Sequence, residues 1–289
     1  MKPSNLSTKI FLDSGDPEET KEAIALLGFL DGQTTNPSLI AKNPTAKERF
    51  ERGEKFQKEE IYDFYKNVVM EISKLIPDGS VSVEVYADKD TKREEMLKQG
   101  REMFGWIGNA HIKLPVTTEG LKTAKEFVSD GIRVNMTLCF SQEQAAAVYA
   151  ATKGAKKGGV FLSPFVGRLD DRGENGMSLI KNIQKLYKNS DQHVKILVAS
   201  VRSMEHFLYS LSLKADLITA PLKILKQWAG DGMPMPGDDY LYKSEALKDI
   251  EYGVPDLNMG WGEYNIAHTL TDSGIERFSK DWNELIIRQ

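Results

Sequence analysis

The sequence is poor in the residues that build disulfide frameworks and metal centres. It contains one cysteine, Cys139, and only four histidines, which are widely separated: His111, His193, His206 and His268. A single cysteine cannot form an internal disulfide, and none of the histidine spacings is that of a metal-binding motif. We therefore expect a reducing compartment and no structural zinc, and we find no sequence motif for another metal or for a cofactor.

An excess of basic charge and long apolar runs are also lacking. The formal net charge is -4 and the pI is about 5.7, so nonspecific binding to a nucleic-acid backbone is not expected. No stretch is apolar enough to span a bilayer, and the first residues lack the apolar core of a secretion signal. These absences predict a cytoplasmic protein without nucleic-acid or membrane partners, although local cationic sites for small anions stay open.

What the sequence does contain is an alternation of short apolar and longer charged segments. Strands are predicted at 10–14, 32–35, 81–87, 111–116, 133–138, 160–165, 195–201 and 216–219. Helical spacing of charged residues is found at 17–27, 45–75, 90–104, 118–128, 141–152, 178–187 and 204–213. Eight strand-then-helix units in 289 residues predict one α/β domain, a (β/α)8 barrel.

Two further segments complete the predicted organisation. The charged run from Ala46 to Arg52 continues to Glu60 and is typical of the solvated face of one long helix. Residues 230–262 are rich in Gly, Pro and Asp, and a last helix is predicted at 273–287. We interpret 230–289 as an extension of the barrel domain, which could cover the barrel mouth or pack on a neighbouring chain.

Polar residues recur at one parity in the predicted strands. In 81–86 the valines occupy one face, while Ser82, Glu84 and Tyr86 occupy the other. If the valines pack under the helices, the polar face points to the barrel axis. The same parity pairs Phe11 with Asp13, Thr34 with Asn36, His111 with Lys113, Asn135 with Thr137, and Phe161 with Ser163. These polar residues fall late in their strands, at the end of the barrel where active sites are built.

Lys113 is the most informative of these residues. An ammonium group is costly to desolvate, so a barrel interior favours the neutral amine, which is a nucleophile towards carbonyls. The residues alone leave three roles open: Schiff-base formation, general-base work, or pairing with an acid such as Asp13 or Glu84. In the pairing alternative the two acids belong to an internal ion-pair network.

Two arginines follow late strands of the predicted barrel. Arg168 comes after the strand at 160–165, and Arg202 comes after the strand at 195–201. Guanidinium groups match phosphate oxygens, and phosphate sites in barrels commonly occupy loops near the late strands. The pair predicts a phosphate site, although one such arginine by itself is more often a surface residue. His111 and Cys139 are interpreted as core residues.

Five segments in this order carry a more specific signal: FLD at 11–13, TTNPS at 34–38, IKLP at 112–115, NMTLCFS at 135–141 and SPFVGR at 163–168. Together they resemble the transaldolase family, which includes fructose 6-phosphate aldolase relatives. The likeness runs from Ile10 to about Gln227. It implies a (β/α)8 barrel with a Schiff-base lysine on strand four, where counting strands also puts Lys113.

The resemblance implies a role for each matching residue. Asp13 would handle the proton of the substrate C4 hydroxyl. Glu84 would act on Lys113 through a water that Thr137 holds. The substrate-binding residues would be Asn36 and Asn135 for hydroxyls, Ser163 near C1, Phe165 beside them, and Ser200 with Arg168 and Arg202 for the phosphate.

Glu84 and Phe165 indicate which reaction within the family is expected. Aldolase-type relatives typically carry Gln and Tyr at these positions, and the exchange alters how the catalytic water is held. The resemblance thus implies a transaldolase of the pentose phosphate pathway. It would transfer a dihydroxyacetone unit from fructose 6-phosphate or sedoheptulose 7-phosphate to an aldose phosphate. A fructose 6-phosphate aldolase, a catalytically silent sugar-phosphate sensor and self-association stay open.

Overall fold

The computed structural model describes residues 2–237, 239–242 and 244–287. The barrel strands are β1 (Lys9–Asp13), β2 (Gly32–Thr34), β3 (Ser80–Glu84), β4 (Ala110–Pro115), β5 (Val134–Cys139), β6 (Val160–Pro164), β8 (Val194–Val198) and β9 (Leu217–Ala220). They form a closed parallel barrel in the order β1-β2-β3-β4-β5-β6-β8-β9. Outside it, β7 (Glu174–Asn175) pairs in parallel with β10 (Lys248–Asp249). The predicted (β/α)8 barrel is confirmed.

Helices follow the barrel strands and pack around them. They are α1 (Pro17–Leu27), α2 (Pro37–Ala41), α3 (Pro44–Glu51), α4 (Lys58–Leu75), α5 (Arg93–Phe104), α6 (Thr118–Ser129), α7 (Gln142–Ala151), α8 (Val166–Asp170), α9 (Gly176–Tyr187), α10 (Met204–Ser212), α11 (Leu222–Gly230) and α12 (Thr269–Glu284), with a 3-10 turn at Trp261–Glu263. Within the described part of the chain, no helix has the length and apolar composition to span a membrane.

The region between β2 and β3 differs from the prediction of one long helix at 45–75. The chain forms α3 and α4 instead, and Gly53 lies between them with φ of +74°. Glycine adopts this left-handed conformation without the steric cost of a side chain, which favours a break in the helix. The next helix restarts where the carboxylate of Glu60 accepts the backbone N–H of Gln57 at 3.1 Å. Charged residues continue on both sides of the break, so their spacing did not reveal it.

The third strand ends at Glu84, short of the predicted 87, and this changes the position of Tyr86. The backbone N–H of Tyr86 bonds the side chain of Gln99 at 2.6 Å instead of a strand. Its hydroxyl contacts Asp88 and Asn283 at 3.0 Å each. The prediction that Tyr86 faces the barrel axis is therefore wrong, because the alternation of faces stops where the strand stops.

The lower half of the barrel interior is filled by aromatic and apolar side chains. Phe11 and Phe161 meet edge to face with ring centroids 6.0 Å apart, and His111 stacks on Phe161 at 4.0 Å. Burial lowers the pKa of His111 to about 3, so it is neutral at ordinary pH. This confirms its interpretation as a core residue. Asp13, Lys113 and Ser163 come two residues after Phe11, His111 and Phe161 on the same strands, and so lie above this layer, towards the carboxyl ends of the strands.

The last helix crosses the carboxyl-terminal mouth of the barrel. α12 packs against α2 and β5, and it begins where the side chain of His268 accepts the N–H of Leu270 at 3.2 Å. Its bounds are shifted towards the N-terminus from the predicted 273–287, and Arg288 and Gln289 lie outside the described residues. α12 therefore lies over the mouth of its own barrel, as in one of the two alternatives left open by the sequence.

Candidate active site

A cleft of about 230 Å³ opens at the carboxyl ends of the barrel strands beneath α12. Most of the residues predicted from the sequence line it: Asp13, Asn36, Lys113, Ser163, Phe165, Arg168, Ser200 and Arg202. The other three, Glu84, Asn135 and Thr137, lie behind this surface, where the barrel strands hold them in buried positions. The structure thus gathers residues from seven of the barrel strands or the loops after them around one cleft.

Lys113 and Glu84 face each other at the floor of this cleft. Their strands pair with these two residues in register, and the amine Nζ lies 2.8 Å from the carboxylate Oε2. Nζ also donates a hydrogen bond of 3.3 Å to the backbone oxygen of Thr35. Burial raises the pKa of the Glu84 carboxyl, while the nearby Lys113 amine opposes that rise. The pairing of Lys113 with an acid, one of the alternatives left open by the sequence, is therefore present.

Asp13 lies on the neighbouring wall of the cleft. The hydroxyl of Thr34 donates to its Oδ1 at 2.6 Å, and the same hydroxyl meets that of Thr219 at 2.6 Å. Burial raises the pKa of Asp13, and the charge of Lys113 and the bond from Thr34 oppose the rise. A carboxyl whose pKa moves towards neutrality is suited to both giving and taking a proton.

A chain of buried hydrogen bonds supports the cleft from below. The hydroxyl of Ser163 donates to Asn135 Oδ1 at 2.7 Å, and Asn135 Nδ2 donates to the hydroxyl of Ser82 at 3.0 Å. Ser163 reaches the cleft, whereas Asn135 does not line it. The Thr137 hydroxyl is fully buried and has no hydrogen-bond partner among the residues described. Buried hydroxyls of this kind commonly bind an ordered water.

The mouth of the cleft carries several cationic groups. Arg168 is half-buried between the rings of Phe165 and Phe278, at 5.4 and 5.5 Å from their centroids. Its burial, together with the charges of Arg277 and Arg202, lowers its pKa to about 10. No ion pair or hydrogen bond of Arg168 is found in the described part of the molecule. A guanidinium group without an ion-pair partner among the described residues is suited to binding an anion.

Arg202 and Ser200 lie in the turn after β8. Arg202 forms an ion pair with Asp171, and its backbone N–H donates to His206 Nδ1 at 3.3 Å. Ser200 has a φ of +57°, a left-handed conformation that is costly for residues other than glycine and tends to occur at functional sites. The backbone N–H of Gly167 bonds the Ser200 oxygen at 3.1 Å. This bond ties the Arg202 turn to the segment that carries Arg168.

Sequence reasoning missed the contribution of α12 to the site. Arg277 and Phe278 line the cleft, as do Lys42, Ser38 and Thr219. The ring centroid of Phe278 lies 5.9 Å from Lys113 Nζ. A usable signal was present, because Gly274, Arg277, Phe278 and Asp281 have the spacing of one helical face. The sequence alone did not say which surface that face meets.

These features define a class of protein: a parallel (β/α)8 barrel enzyme whose candidate site centres on a buried lysine below a cationic mouth. In the described residues, no group of three or more His, Cys, Asp or Glu side chains could hold a metal ion. A buried lysine paired with a carboxyl group whose pKa is raised by burial, in a cleft open to solvent, is suited to chemistry at a carbonyl group.

Comparison with known proteins identifies the family. The family model described as Transaldolase/Fructose-6-phosphate aldolase matches residues 10–288. The chain is 36% identical over 277 residues to a protein of Dehalococcoides mccartyi named "Probable transaldolase", covering 96% of this chain and 99% of that relative. Identically named proteins of Herpetosiphon aurantiacus and Brucella anthropi are 35% and 38% identical, covering 96% and 95% of this chain and 96% of each relative.

The chain belongs to the transaldolase/fructose-6-phosphate aldolase family, and the prediction of an enzyme of the transaldolase type is confirmed. The likeness seen from the sequence ended near Gln227, whereas the family match continues to residue 288. The extension and α12 are therefore part of the family architecture.

Proposed function

We propose that this enzyme is a transaldolase that moves a dihydroxyacetone unit from a ketose phosphate to an aldose phosphate through a Schiff base on Lys113. The donor is fructose 6-phosphate or sedoheptulose 7-phosphate, the substrates of such a reaction in the pentose phosphate pathway. The observation that carries the proposal is the buried Lys113 amine, 2.8 Å from Glu84, at the floor of a cleft whose mouth carries Arg168 and Arg202.

Formation of the Schiff base uses the groups at the cleft floor. The neutral amine of Lys113 attacks the C2 carbonyl, and loss of water from the carbinolamine gives the imine. Glu84 supplies the proton that the leaving hydroxide needs, because its raised pKa lets it hold one. A water bound by the buried Thr137 hydroxyl would carry this proton to and from the carbinolamine.

Cleavage of the sugar uses Asp13. Its carboxylate takes the proton of the C4 hydroxyl, the C3–C4 bond breaks, and its electron pair moves into the iminium to give an enamine. The aldose phosphate leaves with its new C4 aldehyde. The enamine then attacks the aldehyde of a second aldose phosphate, Asp13 returns the proton, and hydrolysis of the imine frees Lys113.

Substrate hydroxyls are assigned to Asn36, Asn135 and Ser163. Ser163 and Asn36 line the cleft, which supports direct contact with substrate. Asn135 bonds Ser163 and Ser82, so its contact with a hydroxyl would replace one of these bonds. The phosphate is assigned to Ser200, Arg168 and Arg202. Arg168 lines the cleft, and its pKa is lowered first by burial and then by the charges of Arg277 and Arg202. A bound anion would offset this unfavourable positive charge.

Transfer, rather than release of free dihydroxyacetone, is supported by Phe165 and Glu84. Phe165 packs against Phe140 at 5.8 Å between ring centroids and presents no hydroxyl that could hold a water near the imine. The alternative is a fructose 6-phosphate aldolase, in which water hydrolyses the enamine before an acceptor arrives. The family description covers both activities.

Borohydride trapping tests the Schiff base. Lys42 also lines the cleft, so the modified lysine must be located by peptide mass spectrometry. We expect fructose 6-phosphate and borohydride to leave a three-carbon adduct on Lys113 and none on Lys42, and we expect Lys113→Met to abolish both adduct and activity. An active protein with an unmodified Lys113 would overturn the assignment.

A two-substrate assay tests transfer. With fructose 6-phosphate and erythrose 4-phosphate we expect turnover that depends on the acceptor. Fast release of dihydroxyacetone without erythrose 4-phosphate would instead identify the aldolase. Binding of either sugar phosphate with no turnover would favour the silent sensor.

A further inference from the structure

One face of α12 is directed at the candidate site along four positions. A side-chain carbon added at Gly274 would lie 2.7 Å from Arg168 Nη1, so glycine there lets the guanidinium of Arg168 approach the helix. Arg277 and Phe278 line the cleft, and Asp281 bonds the hydroxyl of Ser38. The spacing i, i+3, i+4 and i+7 puts all four on one side of the helix. Over two turns, this face of α12 therefore contacts Arg168, the cleft and Ser38.

Among these four residues, Arg277 carries a charge that has no close ion-pair partner among the described residues. Its Nε lies 3.9 Å from Asp281, at the outer limit of an ion pair, and Asp281 already accepts a hydrogen bond from Ser38. Arg277 donates no side-chain hydrogen bond to any described residue. Its charge nevertheless acts on Arg168, because it contributes to the lowered pKa of that guanidinium. Two like charges are thus held together at the mouth.

We propose that Arg277 is a third phosphate-binding residue, so that the C-terminal extension recognises the phosphate of the sugar. The inference rests on the proposed function and deepens it. A phosphate monoester carries close to two negative charges at neutral pH, and it would neutralise the repulsion between Arg277, Arg168 and Arg202. Repulsion in the free enzyme would then become attraction in the complex, which is how a site favours a dianion over a neutral sugar.

The proposal also gives a role to the neighbouring residue. Phe278 follows Arg277 on the same helix, and its ring lies over both Arg168 and Lys113 at 5.5 and 5.9 Å. A phosphate held by Arg277 would fix α12 over the cleft and keep the Phe278 ring above the imine. Binding of the phosphate would therefore help to exclude water from the carbon that reacts.

The test compares Arg277→Met with Lys280→Met. Lys280 lies on the same helix with a side chain 71% exposed, and its only ion-pair contact in the described chain is with Glu284 at 4.0 Å. The two variants remove the same charge from α12, so a general change in the field of the helix affects both. Arg277→Lys restores the charge without the guanidinium fork.

For Arg277→Met we expect the KM for fructose 6-phosphate to rise about tenfold, the lower end of what one contact to a charged group contributes, because Arg277 is partly exposed. Competitive inhibition by inorganic phosphate should weaken by about the same factor, and Arg277→Lys should recover part of both. Lys280→Met should change neither by more than about twofold. Equal effects in the two methionine variants, or no effect in Arg277→Met, would overturn the proposal.

Trapping with unphosphorylated dihydroxyacetone separates this proposal from the proposed function. It requires the Lys113 imine but no phosphate, so borohydride should modify Lys113 equally in the native enzyme and in Arg277→Met. Normal trapping with an unchanged KM for fructose 6-phosphate means that Arg277 does not bind phosphate. Absence of trapping in the native enzyme means that the Schiff-base function itself is wrong.

Discussion

The amine of Lys113 lies 2.8 Å from a carboxylate oxygen of Glu84, and the two side chains are only 4% and 5% exposed. A buried pair of this kind costs desolvation on both sides, and removing one member leaves the other without compensation. Burial raises the pKa of Glu84 and Lys113 opposes that rise. Stability, proton transfer and the reactivity of the amine are therefore coupled at this contact.

Replacing Lys113 by methionine is expected to make stability depend on pH. The folded protein would hold Glu84 protonated more strongly, while the unfolded chain releases that proton above about pH 4.3. A folded-state pKa raised above the unfolded one means that stability is lost as pH rises. We expect a deficit of about 3–5 kcal/mol at neutral or higher pH, smaller near pH 5, measured by urea unfolding.

The double variant Lys113→Met with Glu84→Gln should lose most of this pH dependence, because the titrating group is gone. Lys122→Met provides the control, since Lys122 forms a surface pair with Glu119 at 2.7 Å and such pairs contribute little. A deficit in Lys113→Met that is constant between about pH 5 and pH 8 would contradict the buried-pair explanation.

Asp13→Asn is expected to lower activity without lowering stability. Burial raises the pKa of Asp13, so the ionised form opposes folding at neutral pH, and asparagine removes that charge while it can still accept the bond from Thr34. We expect kcat to fall about 10²–10⁴-fold, as for loss of an acid/base group. The thermal midpoint at pH 7 should stay equal or rise, as is common for active-site substitutions.

The matched control is Asp16→Asn, a change at the partly exposed N-cap of α1, where the side chain accepts the N–H of Glu18 at 2.9 Å. Asparagine caps helices as well as aspartate does, so activity and midpoint should both be retained. A clear drop in the midpoint of Asp13→Asn would mean that its charge stabilises the fold.

The strand pattern was sufficient to predict the floor of the site. The alternation in 81–84 predicted that Glu84 faces the barrel axis, and the same parity in the next strand predicted this for Lys113. The structure pairs these two residues in register. Such predictions work because period-two alternation and the common edge of parallel strands are local rules. The rule failed at Tyr86, where a side-chain acceptor from Gln99 captures the backbone N–H and ends the strand.

The α12 residues that cover the cleft could not be predicted in the same way. Arg277 and Phe278 reach the cleft because the described segments before α12 (231–237, 239–242 and 244–268) are mostly irregular and return to the barrel, held by contacts such as the Tyr242 hydroxyl to Asp170 at 2.7 Å. An irregular segment has no periodic pattern of apolar residues from which its course could be predicted. The position of α12 depends on tertiary bonds, including that between Ser38 and Asp281, which join residues far apart in the chain.

Thr34→Val is expected to move the acid limb of the pH profile. The Thr34 hydroxyl donates to Asp13 at 2.6 Å, and this bond opposes the rise that burial causes in the pKa of Asp13. Without it the carboxylate binds its proton more strongly. The base form is then lost at a higher pH, so the acid limb of kcat/KM, which reports the free enzyme, should shift upwards.

Thr219→Val is the control for Thr34→Val. A hydroxyl has one hydrogen to donate, and that of Thr34 is given to Asp13, so Thr219 must be the donor in its 2.6 Å bond with Thr34. Valine at 219 leaves the direct bond to Asp13 in place, and the acid limb should move less. Equal shifts in both variants, or no shift in Thr34→Val, would show that Asp13 does not set the limb.

Phe165→Tyr combined with Glu84→Gln is expected to shift the enzyme from transfer towards release of dihydroxyacetone. Phe165 is 7% exposed and lines the cleft beside Arg168. A phenol there brings a hydroxyl that needs a partner, and a water over the enamine would provide one. We expect the ratio of release to transfer to rise about tenfold, a change of about 1.4 kcal/mol between the two barriers. Phe165→Leu, which opens space without adding a hydroxyl, separates the two causes: an equal rise there would assign the effect to looser packing and contradict the role of the phenol.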